Sequence, residues 1–182
     1  MDKKTFSFDL LDKYTPEVVI KKSLNQIKEA TNGYVIGNIE EYGGPITSYK
    51  KNMGLSAISK SLEAVTVDIQ DDLGVQDTEK HRYEVFLTVK GLEHYKYRMM
   101  FVDYGTVSYP VTIVLNEALA MEYCGKRRDK FLIDSMKDLE AMLDIIINSK
   151  TMIDLIQNLI NESLRKEFNT EIDLSQIDEN DN

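Results

Sequence analysis

Between residues 83 and 115 the chain alternates apolar and polar side chains in three successive runs, each bounded by a glycine. Tyr83, Val85, Leu87 and Val89 share one parity and Glu84, Thr88 and Lys90 the other; Gly91 ends the run. Tyr95, Tyr97, Met99 and Phe101 then alternate with His94, Lys96 and Arg98 up to Gly105. Val107, Tyr109, Val111, Ile113 and Leu115 follow, opposed by Thr106, Ser108, Pro110 and Thr112. A period of two is what a strand with one buried face requires. Three such runs joined by glycine-bearing turns predict an antiparallel meander, apolar on one side and wet on the other. Pro110 has no amide to donate, which assigns its strand to an edge or a bulge.

The flanking sequence switches to helical spacing. Thr15-Pro16-Glu17 combines an N-cap hydroxyl, a proline at the first helical position and an acid in the first turn. Ile20, Leu24, Ile27 and Thr31 continue that helix to an Asn32-Gly33 stop. Residues 34–42 read as a strand broken by Gly43-Gly44-Pro45. A short helix is expected over 55–63, a strand over 65–69, and a polar connection over 71–81. After the meander, Asn116 caps a short helix over 117–123 and Lys126-Arg127-Arg128 forms a basic loop. Asp134-Ser135 caps a helix to about residue 148, carried by Met136, Leu139, Leu143, Ile146 and Ile147. Ser149 restarts a helix with a wide stripe from Met152 to Leu164, ending near Phe168. The expected architecture is α+β: an antiparallel meander of four or five strands, an N-terminal helix, and C-terminal helices packed on one face. Residues 1–168 make one domain, and 169–182, with five acids and no base, are expected to fray.

Charge is distributed unevenly. The net charge of −9 divides by thirds, with 7 acids and 9 bases in residues 1–60, 11 and 8 in 61–128, and 13 and 5 in 129–182. Acidity therefore belongs to the last third, which repels nucleic acid and attracts basic surfaces. No apolar run reaches the length of a membrane span. A single cysteine and a polar Met1-Asp2-Lys3-Lys4 start point to a reducing, cytoplasmic setting.

No catalytic signature is complete. Cys124 has three cations beside it, but a cysteine nucleophile also requires a base, and nothing directs His81 or His94 toward it. Asp68, Asp71, Asp72 and Asp77 surround Gly74 without calcium-loop spacing, so a solvated turn is favoured over a metal site. Adjacent Glu40 and Glu41 point to opposite sides of a strand and cannot share a substrate. No cofactor is implied. The interleaved aromatic and basic residues at 94–98 resemble a stacking platform only in composition, since alternation separates the tyrosines from the cations. The wide stripe from Met152 to Leu164 is core, with part of it available as a homodimer seam.

These readings point to a small acidic protein that binds another macromolecule and inhibits or regulates it. The partner expected is a basic protein, such as a nucleic-acid-processing enzyme blocked by a phage or mobile-element inhibitor of the anti-restriction or CRISPR-blocking kind. Asp138, Glu140, Asp144, Asp154 and Glu162 on the C-terminal helices are the expected contacts, with His94, Lys96 and Arg98 as a second, cationic cluster. The alternatives are an enzyme whose site lies between sheet and helices, built from tyrosines and acids, and a nucleic-acid binder using the His94, Lys96 and Arg98 face.

Overall fold

A computed structural model describes residues 11–46, 79–126 and 128–178, with side chains through residue 170. Among these, five strands form one antiparallel sheet whose spatial order repeats chain order. They are β1 (Val35–Glu41), β2 (His81–Val89), β3 (Tyr97–Tyr104), β4 (Val111–Leu115) and β5 (Lys130–Ile133). Helix α1 (Pro16–Ala30) precedes the sheet and α2 (Glu117–Cys124) joins β4 to β5. Helices α3 (Met136–Ile147) and α4 (Lys150–Asp178) complete the α+β fold. The helix expected over 55–63, the strand over 65–69 and the Asp68, Asp71, Asp72 and Asp77 cluster lie outside the described residues.

Register explains the core. Val35 pairs with Val89, Val85 with Met100, Val102 with Ile113, and Ile113 with Phe131, so one sheet face is apolar across all five strands. Helix α1 lies on that face at β1, where Gly37 faces Leu24 so closely that a Cβ would stand 2.6 Å from Leu24 Cδ2. Glycine is what allows this approach. Ile20, Leu24 and Ile27 of α1, Leu139, Met142, Leu143 and Ile146 of α3, and Met152 and Leu159 of α4 join the sheet residues in one buried cluster. Ser163, fully buried, donates to the Lys90 carbonyl at 2.6 Å and ties α4 to the end of β2.

Four details depart from the periodic reading. The β2–β3 register shifts between Val85 and Phe86, which pair with Met100 and Arg98 and leave Met99 as the extra residue of a bulge. A bulge reverses parity. Met99 and Met100 are therefore both buried, and Phe101 stands with Arg98 on the face away from the helices rather than with Tyr97. Pro110, behind a cis Tyr109–Pro110 peptide, immediately precedes β4, which is an interior strand flanked by β3 and β5. Strand β5 was not anticipated. Its four residues bury only Phe131 and Ile133, too short a pattern to stand out after the basic loop. Helix α4 also continues past the apolar stripe to Asp178, so the acidic tail expected from residue 169 begins within it.

Candidate partner-binding site

The segment before α1 crosses from the sheet to α3. Asp12 Oδ1 accepts the Met136 amide at 2.8 Å, at the first residue of α3, while Ser135 Oγ accepts the Asp138 amide at 3.2 Å. Two of the amides left open at a helix start are satisfied in this way. Two residues on, the Tyr14 carbonyl accepts from Tyr109 Oη at 3.3 Å. Thr15, at the N-cap of α1, makes no side-chain cap; its hydroxyl donates instead to Glu17 Oε1 at 2.5 Å. The other Glu17 oxygen accepts from Tyr104 Oη at the end of β3. Tyr104 is paired across the ladder with His81, whose ring stacks on it at 4.9 Å, and Tyr83 lies 6.3 Å away.

These contacts fix charge states. Burial alone would raise the Glu17 carboxyl, but hydrogen bonds from Thr15 and Tyr104, with a smaller contribution from His81, hold it below its ordinary value. Burial, then the hydrogen bond to Glu17 and its charge, push the Tyr104 phenol far above its ordinary range. Tyr109 is pushed up to about 12 by burial first, and then by the charges of Asp12, Glu140 and Glu17. Carboxylates from three separate segments thus bear on one buried phenol. Glu140 reaches this cluster because it stands one helical turn beyond Met136, whose amide Asp12 holds.

The expected contacts fall into several settings. Glu140 and Asp144, one turn apart and both exposed, line a groove of about 160 Å³ between α1 and α3 with Val19, Lys22, Ser23, Gln26 and Ile147. Asp144 also accepts from Asn148 Nδ2 at 3.0 Å. Asp138 lies about 160° around α3 from Glu140, by the 3.6-residue repeat, and accepts from the Ser135 hydroxyl at 2.6 Å. On α4, Asp154 is 3.6 Å from Lys150 and Glu162 is 3.0 Å from Arg165. Glu162 shares a wide groove with His94, Tyr95 and Lys166 below the β2–β3 turn.

Lys96 and Arg98 do not join His94. Both bind Glu84, which is buried on the sheet face opposite α1, Arg98 Nη2 at 2.7 Å from the carboxylate. Lys96 Nζ also sits 3.7 Å from the Phe86 ring centroid. Cys124 Sγ lies among the carbonyl oxygens of Ala120, Lys126 and Arg128 at 3.2, 3.4 and 3.7 Å. Among the described residues no group of three or more His, Cys, Asp or Glu could hold a metal ion. Among them, too, no helix is long and apolar enough to cross a membrane.

Asp12, Glu17, Tyr104 and Tyr109 were not foreseen as a group. From sequence Glu17 is a first-turn acid and nothing more, and the meeting of Asp12 and Glu17 with Glu140 is purely tertiary. No protein-family model, curated protein or solved structure matches this chain.

Proposed function

We propose that this is a cytoplasmic binding protein whose Asp12, Glu17, Glu140 and Asp144 region docks on a basic surface of another macromolecule and inhibits or regulates it. The observation that carries this reading is the convergence of Asp12, Glu17 and Glu140 on Tyr109, with Asp144 one turn further along the groove between α1 and α3. Like charges at i and i+4 on a helix repel by about 0.2–0.5 kcal/mol. Glu140 and Asp144 incur that repulsion, Lys22 on the facing wall offsets part of it, and a guanidinium or ammonium entering the groove would relieve the rest. Ser23 and Gln26 on the facing wall supply additional hydrogen-bonding groups. A nucleic-acid-processing enzyme presents such cations where it grips phosphate, so an acidic docking surface would compete with its substrate.

Binding is favoured over acid–base catalysis by the direction of the shifts. A catalyst needs groups brought toward neutrality. Glu17 is lowered and Tyr104 and Tyr109 are raised, which stabilises each in the charge state it already holds at pH 7. The test is capture of partners from a bacterial lysate on immobilised wild type and on a Glu140→Lys/Asp144→Lys variant, at low and high salt. Basic proteins should be retained by wild type at low salt, released by heparin, and absent from the variant. Equal capture by both, or no basic protein on either, would overturn the reading.

A further inference from the structure

We propose that two copies of this chain associate through antiparallel α4 helices, each acidic C-terminus seated in a groove beside α2 of the other copy. The groove has a volume of about 250 Å³ and is lined by Glu117, Ala118, Ala120, Met121, Lys126, Arg128 and Asp129. Its floor is apolar, and Met121 is 48% exposed there. Arg128 is held with its guanidinium carbon 5.4 Å from the Phe131 ring centroid and its Nε donating to the Lys130 carbonyl. Arg128 is exposed, so its Nη atoms are accessible to an outside carboxylate. Lys126, also exposed, adds a second cation. Of the two acids in the lining, Asp129 is buried rather than at the lip, and both it and Glu117 have interactions of their own.

Residues 171–182 supply a matching occupant. They carry Glu171, Asp173, Asp178, Glu179 and Asp181 with Ile172, Leu174 and Ile177 between, and contain no base. Within one chain the described part of α4 leads away from the groove. The Glu122 side chain of α2 accepts the Lys150 and Thr151 amides at 2.6 and 2.9 Å, so α4 begins beside α2. It then runs away for 29 residues, about 43 Å at 1.5 Å per residue. A second copy laid antiparallel brings its C-terminus back to the start. In such a pair, residue 171 of one copy stands near residue 150 of the other, and Ile153 falls opposite Phe168. These two side chains are 51% and 62% exposed on α4. They lie 15 positions apart, about 60° around the helix, so one apolar strip serves both crossings. The resulting contact is two-fold and closed.

Analytical ultracentrifugation of the full chain across concentration and salt tests this. A reversible dimer is expected at low salt, weakening as salt screens the lip cations. A groove variant, Lys126→Glu/Arg128→Glu, and a tail variant, Asp173→Lys/Asp178→Lys, should each weaken association by about tenfold or more. Circular dichroism should be unchanged in both, since the substitutions are exposed or terminal. Combining the two variants should recover part of the lost association, because the two reversed tail positions then meet the two reversed groove positions with opposite charge, while three tail acids are unchanged. Ile153→Ser should weaken the dimer without altering its salt dependence. A full chain that stays monomeric, a dimer indifferent to both reversals, or a combined variant no better than either alone would overturn the proposal.

Discussion

Arg98 and Phe101 stand on the same face of the sheet, the guanidinium carbon 5.0 Å from the ring centroid, because the bulge at Met99 reverses the parity between them. The same face carries Glu84, paired across the ladder with Phe101 and bound by Arg98 and Lys96. Burial works to raise the Glu84 carboxyl, but the hydrogen bonds and charges of Lys96 and Arg98 win and hold it below 4.5. A lowered acid contributes stability that is full above the unfolded value and is lost as pH falls through the folded one. Glu84→Gln should therefore cost stability at pH 7, kept to about 1 kcal/mol because water reaches both cations. Urea midpoints for the two proteins should converge below pH 4.5. A gap that persists in strong acid would contradict the assignment.

The phenols give the opposite sign. A group whose folded value is raised contributes stability that is full below its unfolded value and is lost as pH rises through the folded one. Alkaline difference absorbance should show Tyr109 ionising near 12 and Tyr104 only on unfolding. Tyr104→Phe should destabilise by about 1.5 kcal/mol, the scale of a hydrogen bond to a charged acceptor. In a double-mutant cycle with Glu17→Gln the two changes should be clearly non-additive.

Gly37→Ala tests how α1 is seated. The added Cβ would lie 2.6 Å from Leu24 Cδ2 and 2.8 Å from Leu24 Cβ, so the helix must shift away from β1. A loss of about 1–3 kcal/mol is expected, typical of overpacking. Thermal unfolding of the single variant and of Gly37→Ala/Leu24→Ala should show partial relief in the double.

Ser163→Ala removes the hydroxyl that joins α4 to the Lys90 carbonyl. A cost of about 1 kcal/mol is expected. Hydrogen exchange should quicken in the middle of α4 before it changes in the sheet, since the nearby ties of Lys90 Nζ and Tyr34 Oη to Glu167, at 3.0 and 3.5 Å, are reached by water.

Most of this architecture is written in local pattern. Pro16 and Ser135 announce helix starts, and alternation from Tyr83 to Val89 announces a strand. The bulge escaped because alternation cannot report its own interruption; the doublet Met99–Met100, both buried, is the trace it left. Glu84, Lys96 and Arg98 were assigned to a wet face, where opposite charges on adjacent strands do pair, yet the burial of Glu84 depends on neighbours the sequence does not order. The acidic cluster was least legible, since Asp12 and Glu140 acquire meaning only when α3 folds back against the start of the chain.

The hydrogen bond from Met136 to Asp12 spans 124 positions of sequence. A ribosome adding about 5–20 residues per second needs several seconds or more to cover that interval. The meander can assemble in order during this time, because each strand pairs with the one made before it. The N-terminal end of α1, already tied to β3 through Glu17 and Tyr104, therefore gains its tie to α3 only after the five strands have been made. The groove between α1 and α3 comes into existence only after α3 has been made, so under the proposed function a chain that stops short of α3 would lack the docking surface.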